Sequence, residues 1–275
     1  MTKFFASILF ALLIYIRLND ASLNMATFNI QVFGQKKLNK ENVKEILIKI
    51  LKRYHLIFIQ EIRDSKGTAF AQLVKELNNA TGKKYKFVES QRLGKSASKE
   101  QYGVIYDPNV VTVEKTYQDP DPERKFERPP FALLLKLKKT RVKHAAFIVT
   151  HIDPDVVVEE MEALYDVAKY IRKTWNEPIM ILGDMNADCS YLSQKKYQKL
   201  AMKIDKDYHW LMEKGKDTTV GSGDCAYDRI IVNGWKPNWI NMPSIKAFKF
   251  DEALKLTTNE AKEVSDHYPV ELQLL

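Results

Sequence analysis

Cysteine is scarce in this sequence, because only Cys189 and Cys225 occur among its 275 residues. No group of histidines and cysteines has the spacing typical of a zinc site, so the sequence does not indicate a zinc module. In an oxidising compartment the simplest interpretation of two cysteines is one disulfide bond. The alternative is a pair of free, buried thiols.

Glycine and proline are also few, with ten residues of each. The chain contains no internal repeat, no low-complexity tract and no linker rich in these residues. Its one irregular segment, residues 117–131, lies between dense strand-like runs and does not divide the chain into separate cores. With 45% hydrophobic and 28% charged residues, the composition is that of a folded protein. We therefore predict a single folded domain over residues 23–275.

Long hydrophobic runs are absent except at the N-terminus. Residues 4–16 form an apolar core after Lys3, and polar and small residues follow, which is the layout of a secretory signal peptide. The run is short for a membrane span and ends at Arg17. We predict a signal peptide over residues 1–22, entry into the endoplasmic reticulum and a secreted, soluble protein. An uncleaved signal anchor is the alternative. Asn79, in an Asn-Ala-Thr sequence, is a predicted glycosylation site.

Acidic residues are outnumbered by basic ones, 35 to 43, which gives a formal net charge of +8. A surplus of this sign favours polyanionic partners such as nucleic acid or an anionic lipid surface. The alternative is a basic protein that has no such partner.

Helical periodicity is limited to a few segments between many short strand-like runs. Residues 39–54, 68–82 and 156–175 have the apolar spacing of amphipathic helices, and Gly82 is expected to end the second. Strands outnumber helices, and many strands are apolar on both faces. This pattern favours an α/β fold with two packed sheets and helices outside them over a single doubly wound sheet.

The strand-like runs share polar residues at their ends. These residues are Asn29, Glu61, His151, Asp184, Asn186, Asp228, Asp266 and His267. One polar strand end alone is usually a turn or a cap. If the two sheets are aligned, however, six such ends can gather at one edge of the sandwich. We therefore expect them to form one shared polar site.

The predicted site combines metal ligands with titratable groups. Its hard oxygen donors suit Mg²⁺, Mn²⁺ or Ca²⁺ and are Asn29, Glu61, Asp184, Asn186 and Asp266. His151 and His267, each oriented by a carboxylate, are suited to general base and general acid catalysis. A divalent ion would neutralise a phosphate group. Together these residues predict metal-assisted hydrolysis of a phosphate ester. The other three histidines are predicted to be structural or exposed: His55, His144 and His209.

Seven motifs carry a resemblance to one family. "TFNIQVFG", "IFIQEIRDS", "RLGKSASKEQY", "VTHIDPD", "GDMNADCSYL", "TTVGSGDCAYDRIIV" and "SDHYPVEL" follow one another in the order of the deoxyribonuclease I family. The likeness runs from about residue 25 to residue 275. It implies a four-layer α/β sandwich of two packed, mainly antiparallel sheets flanked by helices. The basic charge and the "RLGK" segment resemble the gamma-type members more than the pancreatic type.

The resemblance implies a role for each matching residue. His151 and His267 match the catalytic histidines, Glu100 matches the carboxylate that orients the first, and Asp228 matches the one that orients the second. The residues that match those around the metal ion and the scissile phosphate are Asn29, Glu61, Asp184, Asn186 and Asp266. The residues that match DNA contacts are Arg63 in the minor groove, Arg128 at phosphate and Tyr191 at the backbone, with Arg92 as a further candidate. The implied activity is internal, Mg²⁺- or Mn²⁺-dependent cleavage of double-stranded DNA, supported by Ca²⁺, that leaves 5′-phosphate and 3′-hydroxyl ends.

Several positions depart from the family pattern. Ser98 stands where pancreatic-type members have a tyrosine against the minor groove, so different cleavage preferences are expected. Asp217 and Thr219 remain as candidate Ca²⁺ ligands, although the hydroxyl residues usual at positions 221 and 223 are glycines. At the other family calcium site Pro129 replaces a frequent glutamate, and the residues that could compensate are Asp119 and Asp121.

Two alternatives use the same residues differently. The first is a phospholipid or phosphoinositide phosphodiesterase or phosphatase on the same scaffold. The second is a catalytically inactive relative that binds DNA or actin. The favoured hypothesis remains a monomeric nuclease acting on double-stranded DNA, in which either histidine could be the base.

Overall fold

The computed structural model describes residues 22–275. The predicted signal peptide therefore lies outside the described residues, apart from Ser22. The strands, in chain order, are β1 (Leu23–Phe33), β2 (Leu56–Ile62), β3 (Lys86–Glu89), β4 (Gln101–Tyr106), β5 (Val111–Gln118), β6 (Phe131–Leu137), β7 (His144–His151), β8 (Ile179–Asp184), β9 (Tyr208–Trp210), β10 (Asp228–Asn233), β11 (Lys246–Ala247) and β12 (Val270–Leu274). The helices are α1 (Gln35–Leu38), α2 (Glu41–Leu51), α3 (Ala69–Thr81), α4 (Val157–Trp175), α5 (Gln194–Tyr197), α6 (Ala201–Ile204), α7 (Phe250–Leu254) and α8 (Thr258–Val264).

The strands form two six-stranded sheets. The first has the order β11-β12-β1-β2-β4-β3 and the second the order β5-β6-β7-β8-β10-β9. Each sheet has one parallel pair, β1 with β2 and β7 with β8, and its other neighbours are antiparallel. The predicted mainly antiparallel two-sheet fold is confirmed.

Both faces of the central strands are buried, which explains their nearly continuous apolar runs. In β2, Phe58 points between the sheets and stacks on Phe147 of β7, with 5.3 Å between ring centroids. Ile57 and Ile59, its neighbours in the chain, belong instead to the cluster that packs α2 and α3 on the outer face. A third cluster packs α4 on the outer face of the second sheet. The layers are therefore helix, sheet, sheet and helix.

The three predicted amphipathic helices are present as α2, α3 and α4. Gly82 ends α3 with a φ of 66°, and its N–H donates to the carbonyl of Asn78 at 2.9 Å. This left-handed conformation is one that glycine adopts at little cost. Asn79 is exposed on α3, where its glycosylation stays a prediction. No helix among residues 22–275 is both long enough and apolar enough to cross a membrane.

Cys189 and Cys225 form the disulfide that the sequence suggested, with 5.8 Å between their Cα atoms and a separation of 36 positions in the sequence. It joins the loop after β8 to the loop before β10. Closing a loop of this length is expected to stabilise the fold by about 4 kcal/mol in the chain-entropy model.

Reduction of this disulfide is expected to lower the free energy of unfolding by about that amount, because the unfolded chain regains its conformational freedom. Urea unfolding with and without a reducing agent measures the change. The Cys189→Ser/Cys225→Ser variant should match the reduced protein and should not respond to the reducing agent. Equal stability of oxidised and reduced wild type would contradict the prediction.

Candidate active site

Sheet register brings three predicted site residues to the same edge of the second sheet. His151 ends β7, Asp184 ends β8 and Asp228 begins β10. Asp184 pairs with His151 across the parallel ladder and with Asp228 across the antiparallel one. Asn29 lies in β1 of the facing sheet, at the last position paired with β2 before the register shifts, and its side-chain amide donates to Asp184 Oδ2 at 3.0 Å. The site therefore spans the gap between the two sheets.

Each histidine is held by its own carboxylate. The Nδ1 atom of His151 lies 2.8 Å from Glu100 Oε2, and the Nδ1 atom of His267 lies 2.8 Å from Asp228 Oδ2. A carboxylate at Nδ1 favours the proton on that nitrogen, which leaves Nε2 to exchange a proton with substrate. All four of these residues are buried.

The two Nε2 atoms face one carboxylate oxygen. Asp184 Oδ2 lies 3.6 Å from His151 Nε2 and 3.5 Å from His267 Nε2. The two catalytic candidates are therefore close enough to act on the same small group. They are separated by 116 positions in the chain and belong to opposite halves of the sandwich, because His151 ends β7 of the second sheet and His267 precedes β12 of the first. The packing of the two sheets therefore brings them together.

The carboxylates also set the pKa values of the site. Burial raises the pKa of Asp228. Burial alone would lower the pKa of His267, but the carboxylates of Asp228 and Asp184 raise it to about 10. Burial would likewise raise the pKa of Asp184, but the adjacent His267 and His151 lower it. The buried acids therefore favour a charged imidazolium at His267.

Hard oxygen ligands converge beside the histidines. The Asn29 amide donates to both Glu61 Oε1 and Asp184 Oδ2 at 3.0 Å, so one side chain holds two carboxylates together. Asp266 is half exposed at the edge of this group, with Oδ1 3.9 Å from His267 Nε2. Such oxygens fit Mg²⁺ or Mn²⁺. Ligand atoms of Asp184, Asp228 and His267 also lie within 4.8 Å of one another. The predicted ion ligands Glu61, Asp184, Asn186 and Asp266 stay predictions.

The candidate calcium loops are closed by their own hydrogen bonds. Asp217 Oδ1 accepts from the Thr219 N–H at 2.9 Å and from its hydroxyl at 2.8 Å. In the other loop the Asp121 carboxylate accepts from the backbone N–H groups of Lys125 and Phe126, and Asp119 accepts from that of Asp121. These carboxylates accept hydrogen bonds within their own loops, as those of Glu61 and Asp184 do in the site. Ca²⁺ binding at either loop stays a prediction, and no step of the mechanism is assigned to Ca²⁺.

The predicted DNA contacts surround the site, and two of them also support it. Arg63 donates to Glu100 Oε1 at 3.1 and 2.6 Å, and Arg128 donates from Nε to the His151 carbonyl at 3.1 Å. Tyr191 is 43% exposed, and its ring lies 5.3 Å from that of Tyr227. Arg92 donates from the two ends of its guanidinium to the Asp64 and Lys99 carbonyls at 3.4 Å. The DNA contacts of all four predicted residues stay predictions.

Asn186 and the other histidines lie where the sequence pattern suggested. Asn186 follows Asp184, and its N–H donates to Asp184 Oδ1 at 3.1 Å. His55 accepts the Asn24 N–H, His144 lies 3.5 Å from Glu114, and His209 is exposed. These three histidines are not part of the site.

Sequence analysis missed several residues that support the site. Tyr227 lies between Tyr191 and His267, with 6.2 Å between its ring and that of His267. The Thr218 hydroxyl accepts the N–H of Asp228 at 3.2 Å. Other supporting contacts come from Lys37, Tyr102, Arg229 and Ser265. All of them except Lys37 lie within the quoted motifs, as Thr218 does in "TTVGSGDCAYDRIIV", but no local pattern marks them as supporting residues.

Glu100 is expected to make folding sensitive to acid. Although burial raises its pKa, His151, Arg128 and Arg63 lower it from 4.5 to about 2. Its stabilising contribution is therefore present above pH 4.5 and is lost as the pH falls toward 2. The difference in free energy of unfolding between wild type and Glu100→Gln should decrease by roughly 2 kcal/mol as the pH falls from about 6 to about 3. Urea unfolding across this range measures it, and a gap that stays constant would contradict the assignment.

Two carboxylate-held imidazoles that face one buried carboxylate, beside oxygen side chains suited to a hard cation, are the groups that hydrolysis of a phosphate ester requires. The family comparison agrees. The model of the Endonuclease/Exonuclease/phosphatase family matches residues 26–267. The chain belongs to this family and, within it, to the deoxyribonuclease I family, as its relatives show.

The relatives cover nearly the whole chain. It is 35% identical to Mus musculus deoxyribonuclease-1-like 2 over 253 residues, with 91% of each protein covered. It is 35% identical to Bos taurus deoxyribonuclease-1 over 260 residues, with 92% of each covered. It is 36% identical to Rattus norvegicus deoxyribonuclease gamma over 263 residues, with 92% of this chain and 84% of the relative covered. These identities do not separate the gamma type from the pancreatic type, so the predicted likeness to the former stays a prediction.

Solved structures share the fold at low sequence identity. The human Nocturnin catalytic domain with bound sulfate superimposes with a TM-score of 0.63 at 14% identity, over 93% of this chain and 94% of that one. The Bacteroides thetaiotaomicron mannosyl-6-phosphatase gives a TM-score of 0.58 at 15% identity, over 92% and 99%. At these identities the likeness shows the fold alone.

Proposed function

We propose that this chain is a secreted, divalent-metal-dependent endonuclease that hydrolyses phosphodiester bonds of double-stranded DNA with low sequence specificity. The observation that carries the proposal is the convergence of two carboxylate-oriented imidazoles on one oxygen of Asp184. The deoxyribonucleases among the relatives support DNA as the substrate. The disulfide supports an oxidising compartment.

The histidines would divide the proton transfers of an in-line hydrolysis. One Nε2 takes a proton from the attacking water, and the other donates a proton to the leaving 3′-oxygen. Glu100 and Asp228 hold the rings in place during both transfers. Breaking the bond between phosphorus and the 3′-oxygen yields 5′-phosphate and 3′-hydroxyl ends.

The metal-associated residues would stabilise the charge of the phosphate. Glu61 and Asp184 would hold Mg²⁺ or Mn²⁺, and a bound ion would supply a positive charge beside the phosphate oxygens. Asn29 keeps the two carboxylates in place for this purpose.

Exposed side chains beside the site would position the duplex. Arg63 is about one third exposed and Tyr191 nearly half exposed. Contacts of this kind with phosphate and the minor groove give affinity with little sequence information, and they weaken as salt rises. Low sequence specificity and salt-sensitive binding are therefore expected.

A plasmid digest tests the proposal. Supercoiled plasmid should be nicked in Mg²⁺ and left intact with a chelator, and the fragments should carry 5′-phosphate and 3′-hydroxyl ends. Sphingomyelin and a phosphoinositide, assayed in parallel, should not be hydrolysed. Intact plasmid together with hydrolysed phospholipid would move the function to the lipid alternative. Binding without cleavage of any substrate would indicate an inactive relative.

A further inference from the structure

The backbone immediately after Asn29 has an unfavourable conformation. Gln31 and Val32 have φ values of 50° and 49°, in the left-handed region that residues other than glycine rarely adopt. Val32 is β-branched, which makes the conformation more costly, and its side chain is 51% exposed. The pairing of β1 with β2 also shifts register between Asn29 and Phe33. Strain of this kind persists only where the surrounding structure enforces it.

Two metal-associated side chains hold this turn from one side. Asn29 Oδ1 accepts the Gln31 N–H at 2.9 Å, and Glu61 Oε2 accepts the Val32 N–H at 2.9 Å. The other oxygen of Glu61 accepts the Asn29 amide. The orientation of the two side chains therefore depends on the conformation of the turn.

Lys37, on α1, holds the same turn from the other side. Its ammonium group donates to the carbonyl of Ile30 at 3.0 Å and to that of Gln31. It also donates at 2.8 Å to the carbonyl of Val264, the last residue of α8, which lies 227 positions away in the chain. All three N–H donors of the ammonium group thus have backbone acceptors.

Val264 directly precedes the segment that carries Asp266 and His267. Ser265 completes the connection, because its hydroxyl donates to the Asn29 carbonyl at 2.7 Å and accepts the His267 N–H at 3.0 Å. Lys37 and Ser265 therefore fasten the metal-associated end of β1 to the segment that carries a catalytic histidine.

Lys37 is held in a costly environment. Burial lowers its pKa to about 8, although Asp266 and Glu61 raise it. Its neighbour Lys36 is exposed, and free lysine side chains lie in solvent as Lys36 does. A partly desolvated ammonium group is tolerated where it is fully hydrogen-bonded.

We infer that Lys37 is a positioning residue of the active site, which holds the strained turn and the Val264–His267 segment so that Asn29, Glu61 and His267 meet around one phosphate. This inference rests on the proposed function. Lys37 does not touch the substrate, and it acts through the residues that do.

Lys37→Met tests the inference, with Lys36→Met as the matched control. Lys37→Met should lower kcat for DNA cleavage by about ten- to one-hundredfold, as positioning contacts do, with KM changed less than about threefold because the DNA-facing surface is intact. Calorimetry should show weaker Mg²⁺ binding to Lys37→Met than to wild type, and this measurement does not depend on activity. Lys36→Met should match wild type in every measurement.

The possible results distinguish a positioning role of Lys37 from a general loss of folding and from an error in the proposed function. Equal kcat and Mg²⁺ affinity in Lys37→Met and Lys36→Met would overturn the inference, as would an activity loss that equals the unfolded fraction seen by circular dichroism. If Lys37→Met does not fold, Lys37→Arg replaces it, with Lys36→Arg as its control. Lys37→Arg should have a lower kcat than Lys36→Arg at the same KM, because a planar guanidinium group cannot donate to the same three carbonyls. Parameters equal to those of Lys36→Arg would overturn the inference. A wild-type protein that cuts no DNA contradicts the proposed function instead, and the Mg²⁺ affinities still test Lys37.

Discussion

Alanine in place of His151 or His267 is expected to lower the rate of DNA cleavage by about 10²–10⁴-fold, the usual contribution of a general acid or base. Each histidine presents Nε2 to the Asp184 oxygen and is oriented by its own carboxylate, so its loss removes one of the two proton transfers of the proposed reaction. Initial rates of plasmid nicking in Mg²⁺ measure the loss.

His209→Ala is the matched control, because His209 is exposed on the edge strand β9 and pairs with Val232, at the end of β10 opposite Asp228. This variant should retain wild-type activity. The double variant His151→Ala/His267→Ala should lose little more than either single variant, since residues that act as a unit are not additive. If either single variant cut plasmid at the wild-type rate, that histidine would have no catalytic role.

Asp184→Asn is expected to abolish both metal binding and most of the activity. Asparagine preserves the shape but removes a charge that faces both imidazoles and the Asn29 amide. A bound ion stabilises only the native state, so Mg²⁺ should raise the Tm of wild type and leave that of the variant unchanged. We expect kcat to fall by about 100-fold or more, the scale of losing one main electrostatic contact.

Thermal unfolding with and without Mg²⁺, beside plasmid nicking, measures both effects. Asp207→Asn is the control, because it removes the same charge at an exposed position. That variant should keep both the Mg²⁺ response and the activity. If Mg²⁺ raised the Tm of Asp184→Asn as much as that of wild type, the ion would bind elsewhere. Cleavage by Asp184→Asn at the wild-type rate would show that Asp184 has no part in the mechanism.

Much of the fold was predictable because the relevant signals are local. The periodicity of α2, α3 and α4 and the Gly82 cap can be read within a few residues of sequence. The apolar runs of β2 and β8 indicated strands covered on both faces, and the structure confirms it. Strand order was not predictable in this way, because it depends on pairings between residues far apart in the chain.

The resemblance to a family supplied roles that no local pattern contains. Glu100 is an example, since it lies in a loop segment among lysines and serines and nothing in its neighbourhood marks it as a partner of His151. In the structure it is buried, bonded to His151 and Arg63, and close to Arg128. Its contacts explain why a buried carboxylate can stay charged there.

The sequence by itself determined which chemical groups stand at the ends of buried strands, because side-chain type and strand periodicity are local properties. Only the tertiary structure decided that one oxygen of Asp184 faces both histidines, that Arg63 binds Glu100, and that Lys37 joins β1 to the end of α8. These contacts connect residues from 33 to 227 positions apart. Contacts over such distances are set by the order and register of the sheets, and neighbouring residues in the chain do not contain that information.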